Sequence, residues 1–533
     1  ARYLPSAYAN GALHIAGGIL WNYAGDFFKE ENFFWWPEIH SIKLDALSDA
    51  VDVGEHSYRA IYEWRDKNGK IQRSNPSFPV VQTISSSTKK VTVRVYNLNL
   101  TYKDDVSGIL TPGGVAGVQW GKRTPPKIVL YRTEAGKSNF MRCAEREMDL
   151  TSGYTLIEDT LPDEDLVDNP ALYTTGGVAG NICPPSQYDI ALFKDRILLA
   201  TTDNTVWYSK KFRANRATGF NDFFTRSADN KAEKIHAICP NQEHLLILGE
   251  KNGYYMSGDG PSDSGGGPDF SPLRIFAPGQ GTLEGSCRVE SPAGVFFQTA
   301  QGLMLCSKNM QVTYKGANVE DLVTSTNYAS VAHVFEKEHE VRFMLEGNKK
   351  IAVYNYLFDQ WSHWELHADT GTNEATAVLG DTYYRINDVG VVYEQQTGTY
   401  YDKVSSTNKP YAFSLTTGWI NVGQLQQVGR VYRLLLLGDY NTASKPKVTF
   451  FSDYNKTHHH IIEAPSAPGT SKYQLHVKFP RQKIKSTRFI IWEDSPAAGG
   501  GYMAVQSMAL LVGVKKPETS FKHATADHLS NVL

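Results

Sequence analysis

The feature that most constrains this chain is what it lacks, a sustained helical period. Its apolar residues come in short runs rich in Val, Ile, Tyr, Phe, Trp and Thr, bounded by clusters of Gly, Pro, Asn and Asp. Residues 90–95, 126–131, 195–201, 245–249, 294–298, 351–356, 447–451 and 489–492 are such runs. Only 323–340 approaches helix length, and its broken, His-containing pattern reads as strand and loop. An all-β chain is expected.

Turn spacing divides it further. Residues 1–47 carry strand-like pieces of their own and are expected to be N-terminal propeller strands. Residues 48–168 read as a compact β-sandwich of fibronectin III or immunoglobulin character. There Tyr58, Ala60, Tyr62 and Trp64 alternate, which puts one strand face inside, and Asp66-Lys67-Asn68-Gly69 is a hairpin turn. From 169 to 405 short strands recur in groups of propeller-blade length. The economical arrangement is a β-propeller interrupted by an inserted sandwich. Residues 406–515 form a C-terminal β domain, and 516–533 a polar arm, mobile or ordered by a neighbour.

Composition narrows the class. The 533 residues carry 54 Lys+Arg against 56 Asp+Glu, a formal charge of −2, with 12% aromatics. Disordered chains have fewer aromatics and more net charge, and dedicated nucleic-acid binders are basic. Cys143, Cys183, Cys239, Cys287 and Cys306 are odd in number and widely spaced, which implies reduced thiols and no disulfide framework. Apolar runs such as Leu434-Leu435-Leu436-Leu437 are far shorter than a membrane-spanning segment. The chain begins at Ala1, so processing or an upstream segment is expected.

A search for catalytic or metal-binding patterns assembles none, so no cofactor, metal or enzymatic activity is expected. His458-His459-His460 cannot converge on one ion from a strand, where neighbouring side chains point to opposite faces. His363 and His367 would lie roughly 13 Å apart along a strand. Glu63, Asp66, Glu336, Glu338 and Glu340 read as solvated strand faces. The segment from Thr201 to Trp207 has the Asp and Trp of a sialidase Asp-box but lacks its Gly, and reads as strand–turn–strand with a packed Trp.

Two basic clusters could contact DNA or a partner: Lys210, Lys211, Arg213 and Arg216, and Arg481, Lys483 and Lys485. The Gly-rich segment 258–270, with Asp259, Gly265, Gly266 and Gly267, fits neither a P-loop nor an EF-hand. It is expected to be a channel or interface loop, either fitted against another backbone or projecting into a passage.

Several stretches in order resemble short-tailed bacteriophage tail proteins. These are Leu172-Tyr173-Thr174-Thr175-Gly176-Gly177, Pro184-Pro185, Phe193-Lys194-Asp195-Arg196, Val206-Trp207-Tyr208-Ser209-Lys210 and Gly258-Asp259-Gly260-Pro261. They continue through Gly294-Val295-Phe296-Phe297-Gln298, Gln311-Val312-Thr313-Tyr314-Lys315-Gly316-Ala317 and Leu357-Phe358-Asp359-Gln360-Trp361-Ser362. The chain resembles the podovirus tail hub or nozzle family, which includes packaged-DNA stabilisation proteins, strongly over 170–365 and moderately over 1–165.

The resemblance implies a structural virion protein of the tail, assembled in the host cytoplasm as a homohexameric ring. Its channel would retain and then conduct the genome during ejection. Implied partners are a tail adaptor or portal-proximal protein, fibres or spikes, a plug or needle protein, and transient non-specific contact with genomic double-stranded DNA. Near-neutral charge would suit a non-adhesive conduit. The alternative is a propeller virion protein that binds glycans, through residues such as Trp361 and Trp364, or degrades polysaccharide.

Overall fold

The computed structural model describes residues 4–514 except 26–27, 33–34, 67, 87–88, 98–125, 150–151, 229–231, 283–284, 286, 325–327, 347–349, 367–372, 397–400, 405–406, 411–412, 423–427, 441–444, 458, 464–470, 481–482 and 495–502. Nearly all regular structure is β. The chain forms two compact units, one of Ala1–Glu365 with Gly371–Tyr393, the other of Leu366–Thr370 with Glu394–Leu533.

The first unit is a β-propeller interrupted by a β-sandwich. Blade 1 is a four-stranded meander that opens with Ser6–Ala9 and ends with Phe28–Glu30. Blades 2 to 5 are four-stranded meanders opening with Gln187–Phe193, Ile235–Asn241, Arg288–Ser291 and Ala329–Phe335. Blade 6, three-stranded, opens with Asn373–Leu379. These opening strands lie side by side in blade order and form the inner edge. Across the insertion, blades 1 and 2 meet directly: the Gly17 and Gly18 amides both donate to Gln187 O at 3.0 Å.

Blades 2 to 5 each lie between two neighbours, so their second strands are buried almost throughout rather than alternating. Every residue of Arg196–Thr201 and of Gly294–Thr299 is buried. The cores lie between blades. Leu20, Ile197, Leu199 and Trp207 fill the gap between blades 1 and 2. Leu198, Tyr208, Ile247 and Phe270 fill that between blades 2 and 3, and Leu246, Val295 and Phe297 that between blades 3 and 4. Each fully buried side chain of this size contributes roughly 1.5–3 kcal/mol. Gly294 occupies a backbone conformation of φ +132°, and a Cβ there would stand 2.2 Å from Cys306 O. That close approach explains a glycine at the head of an otherwise bulky strand.

The inserted sandwich packs a three-stranded sheet (Ile39–Val51, Lys89–Tyr96, Tyr154–Asp159) on a five-stranded one (Gly54–Arg65, Ile71–Arg73, Val80–Ile84, Lys127–Thr133, Phe140–Glu147). Tyr58, Ala60, Tyr62 and Trp64 enter its core. The opposite face, through Ile61, Val129 and Tyr131, is covered by Leu172. The sandwich begins with Ile39, earlier than residue 48, because that strand pairs along Lys89–Tyr96. Arg132, fully buried, joins Asp159 at 3.0 Å and Asp163 at 2.6 Å.

The second unit has a core of Leu434, Leu436, Phe450, Phe489 and Ile491 between a five-stranded and a three-stranded antiparallel sheet. The hairpin of Tyr401–Val404 and Thr407–Pro410 belongs to it. The propeller therefore ends with Val392–Glu394, short of the expected boundary at 405. The arm 516–533 lies outside the described residues.

Candidate functional site: a cationic cleft

The first basic cluster lies on the connection between the third and outermost strands of blade 2. The chain leaves Thr205–Tyr208, runs outward and returns as Thr225–Ser227. The left-handed Asn215 and a bond from Arg216 N to Arg213 O fold it into a tight bend. The sandwich strand Ile71–Arg73 comes alongside, with Ile71 bridging Arg216. Between them opens a cleft of about 310 Å³ lined by Arg73, Lys210, Lys211, Arg213, Arg216 and Asp263, among others.

Tyr173 stands in its wall between two cations, its ring 5.7 Å from the Arg73 guanidinium and 5.9 Å from Lys210 Nζ. Its hydroxyl donates to Ser74 O, which ties the returning chain to the sandwich. Lys210 Nζ donates to Ala179 O and, at 2.8 Å, to Asn181 Oδ1. Burial pushes the Lys210 pKa down to about 8; Asp263 opposes the shift, and Arg216 and Arg213 add to it.

Three of the cations face carboxylates. Arg73 Nε is 3.0 Å from Glu63, Arg213 is 3.0 Å from Asp263, and Lys211 Nζ is 3.5 Å from Asp195. Arg216 is exposed and has no carboxylate partner among the described residues. Glu63 and Asp66 are buried, not solvated: Glu63 accepts from Arg73, and Asp66 Oδ1 accepts the Lys70 amide and closes the hairpin turn.

The sandwich is also clamped to blade 1. The buried Glu31 carboxylate accepts from Asn22 Nδ2 at 2.6 Å and from Gln72 Nε2, on the sandwich, at 3.2 Å. His14 Nδ1 lies 3.4 Å away. Burial raises the Glu31 pKa, but His14 and the amides of Gln72 and Asn22 outweigh that and hold it below the ordinary value. Lys70 Nζ to Asn10 Oδ1 at 2.6 Å and Asn68 Nδ2 to Gly11 O at 2.7 Å complete the joint.

The Gly-rich segment is fitted against backbone and does not line the inner edge. It connects the third strand of blade 3, Gly253–Ser257, to the outermost, Arg274–Ala277. Buried Arg196 of blade 2 donates from Nε to Asp259 O at 3.2 Å and from a terminal nitrogen to Pro261 O. Phe270 is in the core between blades 2 and 3, and Tyr208 donates to Asp269 at 2.8 Å. With Asp259 bound to Arg196, the three glycines Gly265, Gly266 and Gly267 form an exposed turn at the outer end of the blade, beside the cleft.

The second basic cluster belongs to the other unit. Lys483 and Lys485 are exposed on the loop before Ser486–Asp494, and Arg481 lies outside the described residues. His459 and His460 occupy successive strand positions opposite Phe451 and Phe450; His458 and His367 are outside the described residues. Among the described residues no group of three or more His, Cys, Asp or Glu is placed to hold a metal ion. Trp361 donates to Lys315 O at 2.9 Å and packs on Phe343 and Tyr354, and Trp364 lies 4.4 Å from the Arg342 guanidinium. Thr201 and Thr205 both donate to Asp203, which makes that segment a hairpin turn with Trp207 buried.

The basic run of the cleft was visible in sequence. Arg73, Tyr173, Asn181 and Asp263 were not recognised as its companions, because an insertion and a blade boundary separate them from it. Tyr173 and Asp263 do fall within the distinctive segments already noted.

No family model matches this chain, and no curated protein does. Among solved structures it is similar to BamB from Moraxella catarrhalis, at 12% identity and TM-score 0.27, covering 73% of this chain and 95% of that one. It is similar also to the Cps50 (Swd1) β-propeller domain of Myceliophteria thermophila, at 9% identity and TM-score 0.26, covering 51% and 91%. An exo-β-1,3-galactanase from Phanerochaete chrysosporium matches at 9% identity and TM-score 0.19, covering 96% of each chain. Likenesses this remote carry nothing about activity.

Proposed function

We propose that this chain is a structural, non-enzymatic component of a phage tail, a hub or nozzle subunit that forms a homohexameric ring around a genome channel. The reading draws on the ordered resemblance over 170–365. The structural observation that supports it best is the joint between sandwich and propeller. Glu31, Gln72, Tyr173 and the Asn10–Lys70 contact hold the inserted module to blades 1 and 2 through buried and partly buried polar bonds. A module fixed in that way can transmit load to a neighbouring subunit, adaptor or fibre, where a tethered domain would swing. On this reading the protein resides in the virion tail, docks an adaptor, fibres or spikes and a plug protein, and touches duplex DNA only transiently.

Electron microscopy of the purified protein, with its native mass, tests the reading. A ring with a central channel and a six-subunit mass is expected; monomers at every concentration, alone and with tail partners, would overturn it. The glycan alternative gains nothing from Trp361 and Trp364, whose rings pack on neighbouring side chains. Release of reducing ends from host polysaccharide would sink the non-enzymatic reading.

A further inference from the structure

We infer that the cleft between the inserted sandwich and blade 2 is a receptor for an acidic peptide segment of a partner protein, read through its carboxylates. The inference stands independently of the tail reading. Its first ground is charge. Arg73, Lys210, Lys211, Arg213 and Arg216 converge on one concave site against the carboxylates of Glu63, Asp195 and Asp263, which leaves two positive charges in excess. Arg216, exposed and without a carboxylate partner among the described residues, and Lys210, which donates to the neutral oxygens of Ala179 and Asn181, carry that excess.

The second ground is shape. Duplex phosphates lie on a convex surface, and a 310 Å³ recess set between a sandwich edge and a blade loop admits a side chain or two, not a double helix. Proteins that bind duplex backbone track it with an extended basic face, whereas arginine clusters in recesses recognise acidic motifs bidentately.

The third ground is that the protein already places a carboxylate of its own there. Asp263 reaches in from the Gly-rich turn of blade 3, is buried, and pairs with Arg213 at 3.0 Å. Its neighbours Ser264, Gly265, Gly266 and Gly267 are exposed, and a Cβ on Gly265 or Gly267 would meet nothing within 4 Å. Asp263 therefore acts as an internal competitor, and a partner's carboxylates would compete with it for Arg213 while the backbone of the turn stays held by Ala179 N on Asp263 O and by the Ser262–Gly266 bond.

Fluorescence anisotropy with a labelled oligo-glutamate peptide, its oligo-glutamine counterpart and a labelled DNA duplex tests this on the full chain. The wild type is expected to bind oligo-glutamate in a salt-dependent way and to ignore oligo-glutamine. Arg216→Glu should weaken binding about tenfold or more, and Asp263→Asn should strengthen it several-fold, with unchanged circular dichroism in both. A purely structural Asp263 would not produce a gain. No peptide binding by the wild type, binding indifferent to Arg216→Glu, or tighter binding of duplex than of oligo-glutamate would each overturn the inference. If Asp263→Asn proves unstable, Gly266→Asp, which adds a second exposed carboxylate beside the cleft, should weaken peptide binding, and no change would count equally against it.

Discussion

Two carboxylate–arginine pairs in the propeller show how burial separates construction from recognition. At the inner edge, Asp189 of blade 2 accepts the Ile238 amide of blade 3 at 2.7 Å and pairs with Arg288 of blade 4, whose Nε donates to Ile238 O at 2.8 Å. One carboxylate thus fastens three consecutive blades, and both side chains are nearly inaccessible. At the outer end, Asp263 also pairs with an arginine, but Arg213 is 56% exposed and belongs to a wall with spare positive charge. The inner pair has no room for a competitor, whereas the outer pair is open to exchange.

The largest effect that would break this contrast is at the inner edge. Asp189→Ala leaves the Arg288 guanidinium buried without its carboxylate and should cost about 3–5 kcal/mol, read as a lowered urea midpoint. An unchanged midpoint would remove the distinction between the pairs.

The pH dependence sharpens it. Burial raises the Asp189 pKa to about 6 from an ordinary 3.8, against the pull of Arg288 and the Ile238 and Ile190 amides. Because the folded value is raised, the folded state holds the proton more tightly. The contribution of this group to stability is therefore greatest below about pH 4 and declines as pH rises towards and through 6. Glu31 has the opposite sign: its folded value is depressed, so its contribution is present above the ordinary 4.5 and lost as pH falls through the folded value. Denaturation from pH 4 to 7 should show a falling component that Asp189→Asn removes.

Smaller effects follow. Glu31→Gln weakens the clamp between blade 1 and the sandwich and should cost about 1–3 kcal/mol, detectable as faster proteolysis at the joint. Asp263→Ala removes a pair whose arginine lies mostly in solvent and should change stability by less than about 1 kcal/mol. A loss as large as that of Asp189→Ala would mean that the cleft is part of the scaffold.

The same contrast marks what the sequence could disclose. The all-β class was legible because strand chemistry is local, and blade 4 announces itself in Gly294-Val295-Phe296-Phe297 with a buried run and a glycine where backbones touch. Lys210 to Arg216 was legible as a charge run. Its setting was not: Arg73 arrives from an inserted module and Asp263 from the next blade, contacts that chain-local periods do not encode. Glu63 read as solvated because strand alternation cannot tell an open sheet face from one covered by a distant arginine. The start of the sandwich was misplaced because Ile39–Val51 resembles the blade strands before it, and only its pairing partner decides where it belongs.

The direct bonding of Gly17 and Gly18 to Gln187 also fixes an order in time. Blade 1 is synthesised first, yet the surface that buries Leu20, Ile197 and Trp207 is completed only when blade 2 has been made. At ribosomal speeds the intervening chain takes roughly 10–30 s to appear. During that interval the sandwich can complete its own core, and its edge with Gln72 is then ready to receive Glu31. The insertion would then offer the orphan blade a surface before blade 2 exists, and slowing or mispairing the sandwich should raise aggregation during synthesis more than it lowers the stability of the finished protein.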